Sequence, residues 1–278
     1  MSRKLIPLLF PVWLLFGCRA PERSPAAASP RRVVALAPNL TEIVFALGAG
    51  DRLVGVSEYS DYPEAARSIP RVGGLEVDPE KVVALRPDLV LAIAEGNAQS
   101  AVRALQAAGV PVAVTPSGSL DAVIASVRLV ADQLGVPDAG TRLIDALSKK
   151  RAAVRAAVAG RRRPNALLLV WPDPPQAAGG KTFLDDVLTE AGATNLVADR
   201  PGWPIVSREY LATAPIELLV TPDSVEARGA WEAAFAPEGI LATGTVSRAR
   251  RVRVDEAALT RPGPRVFDAL AELAGATR

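Results

Sequence analysis

Apolar residues recur along this chain with two periods, one typical of short buried strands and one typical of amphipathic helices. The predicted strands are 33–37, 53–57, 89–93, 110–114, 166–171, 217–221 and 251–254. The predicted helices are 41–47, 98–108, 121–134, 138–160, 183–191 and 265–274, with a helical turn near Trp231. Because strands alternate with helices, the pattern predicts mostly parallel sheets, which bind ligands at the carboxyl ends of their strands.

The helix predicted over 138–160 divides the chain into two comparable halves. Pro137 and Asp138 provide a start signal, and Gly160 provides a stop signal. The apolar stripe of this helix consists of Leu143, Ile144, Leu147, Val154 and Val158. At about 1.5 Å per residue the helix runs roughly 35 Å, which is the width of a small domain.

The two halves resemble each other. Segments 48–54 and 192–197 each follow an apolar helical run, and Asp78 and Ser207 each open a short helix that leads to a proline and a strand. The predicted fold class is therefore α/β, with two Rossmann-like lobes of mostly parallel sheets joined by a single long backbone helix. The alternative explanation for the resemblance of the two halves is that unrelated α/β segments often share such patterns.

The amino terminus predicts an export signal. Arg3 and Lys4 precede an apolar run over 5–16 that is too short to span a bilayer. The run leads to Cys18, the only cysteine, in a setting that resembles a bacterial lipobox, so we predict lipidation of Cys18. An ordinary secretory signal with an incidental thiol is the alternative. The predicted segments are a lipoprotein signal peptide (1–17), a flexible tether (18–31), an N-terminal lobe (32–136), the backbone helix (137–161) and a C-terminal lobe (162–278).

Composition excludes several kinds of function. Without the two cations of the predicted signal peptide, 30 basic and 30 acidic residues remain, which argues against a nucleic-acid partner. The chain has no histidine, which excludes Ser-His-Asp and Cys-His catalysis and removes the commonest metal ligand. Residues 179–182 resemble half of a phosphate-binding loop, but Pro175 stands where that loop needs glycine. We predict no enzyme activity, no metal site and no cofactor.

The segment over 54–63 resembles the class III substrate-binding proteins of ABC importers. The resemblance continues through 84–90, 96–98 and 203–209, covers the chain from about Arg32 to its end, and is closest to the cobalamin-binding members. The family has two α/β lobes joined by one helix. Because such a hinge restricts closure, the resemblance implies a largely preformed cleft in a periplasmic monomer.

In this family, aromatic side chains from both lobes contact the ligand. Tyr59 matches the first-lobe tyrosine, Trp203 matches a second-lobe tryptophan, and Trp171 stands where the family has phenylalanine. The ordinary alternative is that each is a core or rim aromatic. The sequence departs from the pattern near Gly74-Leu75, at Ile93 and at Gln176, where family aromatics are missing. The family's lobe disulfide is also absent, with Ala191 at one half-position.

The resemblance also implies partners. Glu80 and Glu209 match a pair of glutamates, one in each lobe, that meet arginines on the transmembrane subunits of the permease. Both also lie in the first turn of a predicted helix, where the helix dipole by itself favours an acid. The predicted function is therefore that of a lipid-anchored substrate-binding protein that captures cobalamin or a related corrinoid.

Two alternatives stay open. A ferric-siderophore or haem-binding protein of the same fold could use Arg261 or Arg265 for an anionic siderophore, or a tyrosine for haem iron. A lipoprotein hydrolase that uses carboxylates is the alternative from another class.

Overall fold

The first lobe is built on four parallel strands in the order β2-β1-β3-β4. The structure, a computed structural model, describes residues 29–74 and 76–278. The strands are β1 (Val33–Ala35), β2 (Leu53–Val56), β3 (Leu89–Ile93) and β4 (Val112–Thr115). The helices are α1 (Pro38–Ala46), α2 (Pro79–Ala84), α3 (Gln99–Ala107) and α4 (Leu120–Leu134), with 3₁₀ turns at Gly50–Arg52 and Glu64–Ser68. Every residue of β1 is buried, as expected for a central strand covered on both faces.

The second lobe has a mixed sheet in the order β6-β5-β8-β9, with β7 paired to β5. Its strands are β5 (Asn165–Pro172), β6 (Pro175–Ala177), β7 (Thr194–Asn195), β8 (Leu218–Asp223) and β9 (Arg250–Asp255). The linking helix α5 is Pro137–Val158, and the helices that follow it are α6 (Phe183–Glu190), α7 (Arg208–Thr213), α8 (Arg228–Phe235), α9 (Gly244–Arg248), α10 (Glu256–Thr260) and α11 (Val266–Ala276). Among the paired strands of the described residues, only β5 and β6 run antiparallel, apart from isolated bridges such as that between Gln176 and Ile205.

Helix α5 connects the lobes, as the sequence predicts. Its end is set by Gly160, whose φ of +70° is a left-handed conformation that favours glycine. Gly140 allows close packing against α4, since an added Cβ would lie 2.5 Å from the Cβ of Ala131. The buried residues of α5 include Ile144 and Leu147, both from the predicted apolar stripe.

The lobes share one continuous apolar core. Val127 of α4, Val187 of α6 and Phe267 of α11 belong to the same buried cluster as residues of both sheets. Polar contacts reinforce this junction, because Arg151 of α5 pairs with Glu190 of α6. Burial alone would raise the pKa of Glu190, but the hydrogen bonds from Arg151 and its neighbour Arg155 outweigh it and lower that pKa. The junction therefore resists separation of the lobes.

The fold class is confirmed, and the differences lie in short elements. Strands β6 and β7 and helices α9 and α10 have no counterpart among the sequence predictions, because they contain two to five residues and carry no periodic pattern. Strand β6 forms through its hairpin with β5 instead. The helical turn predicted near Trp231 is a helix of eight residues. Among the described helices, none is long and apolar enough to cross a membrane.

Candidate functional site

Tyr59 lies on the loop that follows β2, which we call the Tyr59 loop (57–62). Tyr59 is 52% exposed, and its ring lies against Gly74, where an added Cβ would be 2.9 Å from Cε2 of the ring. The first lobe anchors the loop from beneath. The buried Ser60 hydroxyl is 2.9 Å from that of Thr41, and Arg71 Nη1 donates to the Ser60 carbonyl at 2.7 Å. The loop is thus held firmly while its aromatic side chain faces outward.

Trp171 and Trp203 lie on adjacent extended segments of the second lobe. Trp171 is paired with Gln176 across the β5–β6 hairpin, and Gln176 is bridged in turn to Ile205. Gln176 Nε2 also donates to the carbonyl of Trp203 at 3.4 Å. Directly paired residues project to one side of a sheet, so Trp171, Gln176 and Ile205 share one face, and Trp203 adjoins it through its carbonyl bond with Gln176. We call it the second-lobe aromatic face.

This face is exposed although it is apolar. Trp171 is 44% exposed, Trp203 is 49% exposed and Ile205 is 62% exposed. The Trp171 ring is oriented by its Nε1, which donates to the carbonyl of Asp173 at 2.9 Å. An exposed cluster of large apolar side chains is a mark of an interaction site. Ile205 was not among the predicted site residues, although its position two residues after Trp203 in an extended segment is the signal that could have found it.

The structure places both tryptophans beside Gln176 on the second lobe and Tyr59 on the other lobe. No hydrogen bond or ring stacking joins Tyr59 to either tryptophan among the described residues. Tyr59 and Trp171 occupy equivalent places, since each lies at or just beyond the carboxyl end of a parallel strand. Asp61, on the same loop as Tyr59, bonds directly to Arg261 of the second lobe. The loop therefore lies at the boundary between the lobes.

Arg261 and Arg265 are engaged with carboxylates of the first lobe. Arg265 forms a bidentate pair with Glu42, with nitrogen–oxygen distances of 3.0 and 2.7 Å, and Arg261 pairs with Asp61. Burial would raise the pKa of Asp61, but the hydrogen bond and charge of Arg261 outweigh it, so that pKa is lowered. An anionic ligand would have to compete with these existing pairs.

Each lobe also carries a pocket. A pocket of about 300 Å³ is lined by Ile93, Val102 and Val114 among others, next to α3. Another of about 450 Å³ is bordered by Asp173 and Arg208, next to α8. Neither is lined by Tyr59, Trp171 or Trp203.

The departures from the family pattern have definite places in the fold. Gly74 provides the surface on which Tyr59 rests, and Ile93, which ends β3, is half-buried. Ala191 is fully buried at the end of α6. Leu75 and the predicted lipidation site Cys18 lie outside the described residues. No group of three or more potential metal ligands occurs in the described part of the chain.

Glu80 and Glu209 occupy matching positions, each in the first turn of a six-residue helix of its lobe. The Asp78 carboxylate accepts the amide of Glu80 at 3.1 Å, and the Ser207 hydroxyl accepts the amide of Tyr210 at 3.1 Å. Both glutamates are exposed, and no ion pair among the described residues involves either. Their carboxylates are available to an external partner.

Comparisons with known proteins agree with this architecture. Residues 33–254 match the family of periplasmic binding proteins. The chain is 31% identical over 252 residues to the uncharacterized ABC transporter substrate-binding lipoprotein YvrC of Bacillus subtilis, covering 88% of this chain and 79% of that protein. It is 31% identical over 196 residues to the vitamin B12-binding protein of Yersinia pestis, covering 70% of each.

A solved structure extends the similarity to three dimensions. The periplasmic heme-binding protein RhuT from Roseiflexus sp. RS-1 superimposes with a TM-score of 0.80 at 31% identity, covering 89% of this chain and 97% of that one. The match spans both lobes and the helix between them. The chain belongs to the periplasmic binding protein family.

Proposed function

We propose that this protein is the lipid-anchored substrate-binding subunit of an ABC importer, and that it captures cobalamin or a related corrinoid and delivers it to a transmembrane permease. The observation that carries the proposal is the exposed second-lobe aromatic face, with Tyr59 presented from the other lobe. The relatives named an ABC transporter substrate-binding lipoprotein and a vitamin B12-binding protein support the same class.

The aromatic face suits a large flat ring. Trp171, Trp203 and Ile205 together present a broad apolar surface whose burial on binding is favourable in proportion to its area. Gln176 lies among them and offers an amide to a polar group on the edge of the ligand. A corrinoid brings its own ligands to cobalt, so it needs no metal-binding side chain from this histidine-free chain.

Charge favours a corrinoid over an anionic ligand. Of the cations beside the Tyr59 loop, Arg261 and Arg265 pair with carboxylates, whereas Arg67 and Arg71 donate to backbone carbonyls of the loop. A corrinoid carries mainly amides around its ring, whereas haem carries carboxylates that need free donors. Releasing a partly buried ion pair to supply such donors is costly.

A haem ligand is the second candidate, and a specific observation supports it. Tyr62 is half-exposed on the Tyr59 loop, and its ring lies 4.0 Å from the Arg265 guanidinium carbon. Tyrosine is one of the axial ligands that hold haem iron in proteins. The similarity to a periplasmic heme-binding protein also supports haem as the ligand.

Retention of a coloured ligand tests the proposal. The purified protein is mixed separately with cyanocobalamin, haem and a ferric hydroxamate, and each mixture is desalted. We expect cobalamin to stay with the protein at about one molecule per chain, chemically unchanged, because burial on the aromatic face outweighs the loss of ligand freedom. Retention of haem or the ferric hydroxamate instead of cobalamin would refute the corrinoid assignment. A hydrolysed product would support the carboxylate hydrolase.

Lipid anchoring has its own test. A cysteine that ends an apolar export signal and precedes a flexible tether has little structural use, so we expect Cys18→Ala to move the protein from the membrane fraction to the soluble extracytoplasmic fraction. Ser24→Ala, a small change in the same tether, is the matched control. Detergent-free fractionation and immunoblotting measure the distribution. Unchanged partitioning of Cys18→Ala would contradict the anchor.

A further inference from the structure

Among the described residues, the hydrogen-bond and ion-pair partners of one buried acid of the first lobe all lie in the second lobe. The side chain of Glu42, on α1, is 3% exposed. Arg265 binds both of its oxygens, and Arg261 Nη1 lies 3.7 Å from Oε1. A buried carboxylate without a cation is strongly unfavourable, so Glu42 requires the second lobe to stay in place.

A second layer of contacts surrounds this pair. Arg261 also bonds to the more exposed Asp61 of the Tyr59 loop, and Arg265 stacks on the ring of Tyr62. Asn39 Nδ2 donates to the carbonyl of Pro262 at 3.2 Å. The segment over 261–265 is thus bound to α1 and to the Tyr59 loop at once. We call Glu42, Asp61, Arg261 and Arg265 the interlobe ion cluster.

The cluster lies at the edge of the junction around α5, since Ile43 and Val266, next to Glu42 and Arg265, belong to the shared apolar core. That junction is held by apolar packing and by Arg151 with Glu190, whereas the cluster joins the loop after β2 to the segment between α10 and α11. Ion pairs at the edge of the shared core add a directional restraint to apolar packing, which by itself is non-directional. If the lobes separated at the cluster, Glu42 would lose both of its arginine partners. Its carboxylate would then be buried without a cation, or would have to become exposed to solvent.

We propose that the interlobe ion cluster fixes the separation of the two lobes before any ligand binds, and that Arg261 and Arg265 are positioning residues for the ligand site. Through Asp61 and Tyr62 the cluster sets where Tyr59 stands relative to the second lobe. The site then needs little rearrangement on binding, which favours affinity. This inference rests on the proposed ligand site and deepens it.

The distance between the lobes tests the inference without any ligand. In a Cys18→Ala background, Val83→Cys on α2 and Thr213→Cys on α7 provide two exposed sites for spin labels, one on each lobe. With the cluster intact, we expect a single narrow distribution of distances between the two labels. In the double variant Arg261→Gln/Arg265→Gln, we expect the distribution to be broader and its mean distance longer. Arg162→Gln is the control, since its pair with Glu217 lies within the second lobe. Arg261→Lys, which keeps the charge, should restore the narrow distribution relative to Arg261→Gln.

Binding supplies the second measurement. With cyanocobalamin as probe, the double variant should bind at least about tenfold more weakly, while Arg162→Gln binds normally. An unchanged distance distribution, or a broadened one with unchanged affinity, overturns the proposal. If circular dichroism shows that the double variant does not fold, Arg261→Gln alone carries both measurements. If the unmodified protein binds none of the three candidate ligands, the proposed function fails, and the distance measurement alone decides whether the cluster fixes the lobes.

Discussion

Glu80→Arg combined with Glu209→Arg should abolish uptake of the ligand while leaving its binding intact. Both glutamates are exposed, each on a different lobe, and neither takes part in an ion pair among the described residues. Because each lobe presents one acid, both lobes can engage the transmembrane subunits of the proposed permease. Charges at the rim of an interface mainly govern encounter and orientation, so reversing both should prevent productive docking.

Folding should withstand the double reversal. The caps of both helices are made by other residues, since Asp78 and Ser207 accept the first amides. A cation in the first turn opposes the helix dipole at a cost of about 0.3–1 kcal/mol for each site, which is small for a domain of this size. Ligand titration and thermal denaturation of the isolated protein should therefore match the wild type.

The measurement is uptake of labelled ligand by vesicles that carry the cognate permease, at low and at moderate salt. Asp51→Arg with Glu272→Arg is the matched control, because it reverses one exposed acid in each lobe at other places. Wild-type uptake should weaken as salt rises, since screening acts on exposed charges. Normal uptake by the Glu80 and Glu209 double variant at low salt would refute docking and leave the helix dipole as the whole explanation.

Trp203→Ala should weaken cobalamin binding by about 1–3 kcal/mol, or about 5- to 150-fold in Kd. Trp203 is 49% exposed without ligand and contributes much of the second-lobe aromatic face. Because so much of the ring already faces solvent, its loss should leave no large cavity. The thermal midpoint should therefore move little while the affinity falls.

Tryptophan fluorescence measures this effect and identifies the site. Outside the predicted signal peptide the chain has three tryptophans, of which Trp171 and Trp203 are exposed and Trp231 is 7% exposed. Cobalamin should quench the fluorescence saturably, and Trp203→Ala should lose part of that change.

Trp231→Phe is the control, and it should bind normally. The Nε1 of Trp231 is buried without a hydrogen-bond partner, so its removal costs little. If haem saturates the site and cobalamin does not, the corrinoid assignment is wrong while the importer assignment stands.

Much of the fold could be predicted because local physics specifies it. The apolar stripe, start signal and stop signal of α5 lie within one short segment, and the observed helix differs from the prediction by one or two residues at each end. The caps at Asp78 and Ser207 act on amides two or three residues away, so the short helices that carry Glu80 and Glu209 were also predictable. Their proposed role, like that of the three aromatics, depends on resemblance and stays a prediction.

The tertiary structure decided what depends on contacts between distant residues. Glu42 sits in a predicted amphipathic helix and carries no sign that it is buried, yet its cation Arg265 lies 223 positions away along the chain. Ile205 lies on the same face as Trp171 because Gln176 pairs with both of them, which aligns three segments that are separate in the sequence. Periodicity and capping report interactions within a few residues, whereas which strand pairs with which, and which acid meets which cation, is fixed only when the whole chain packs.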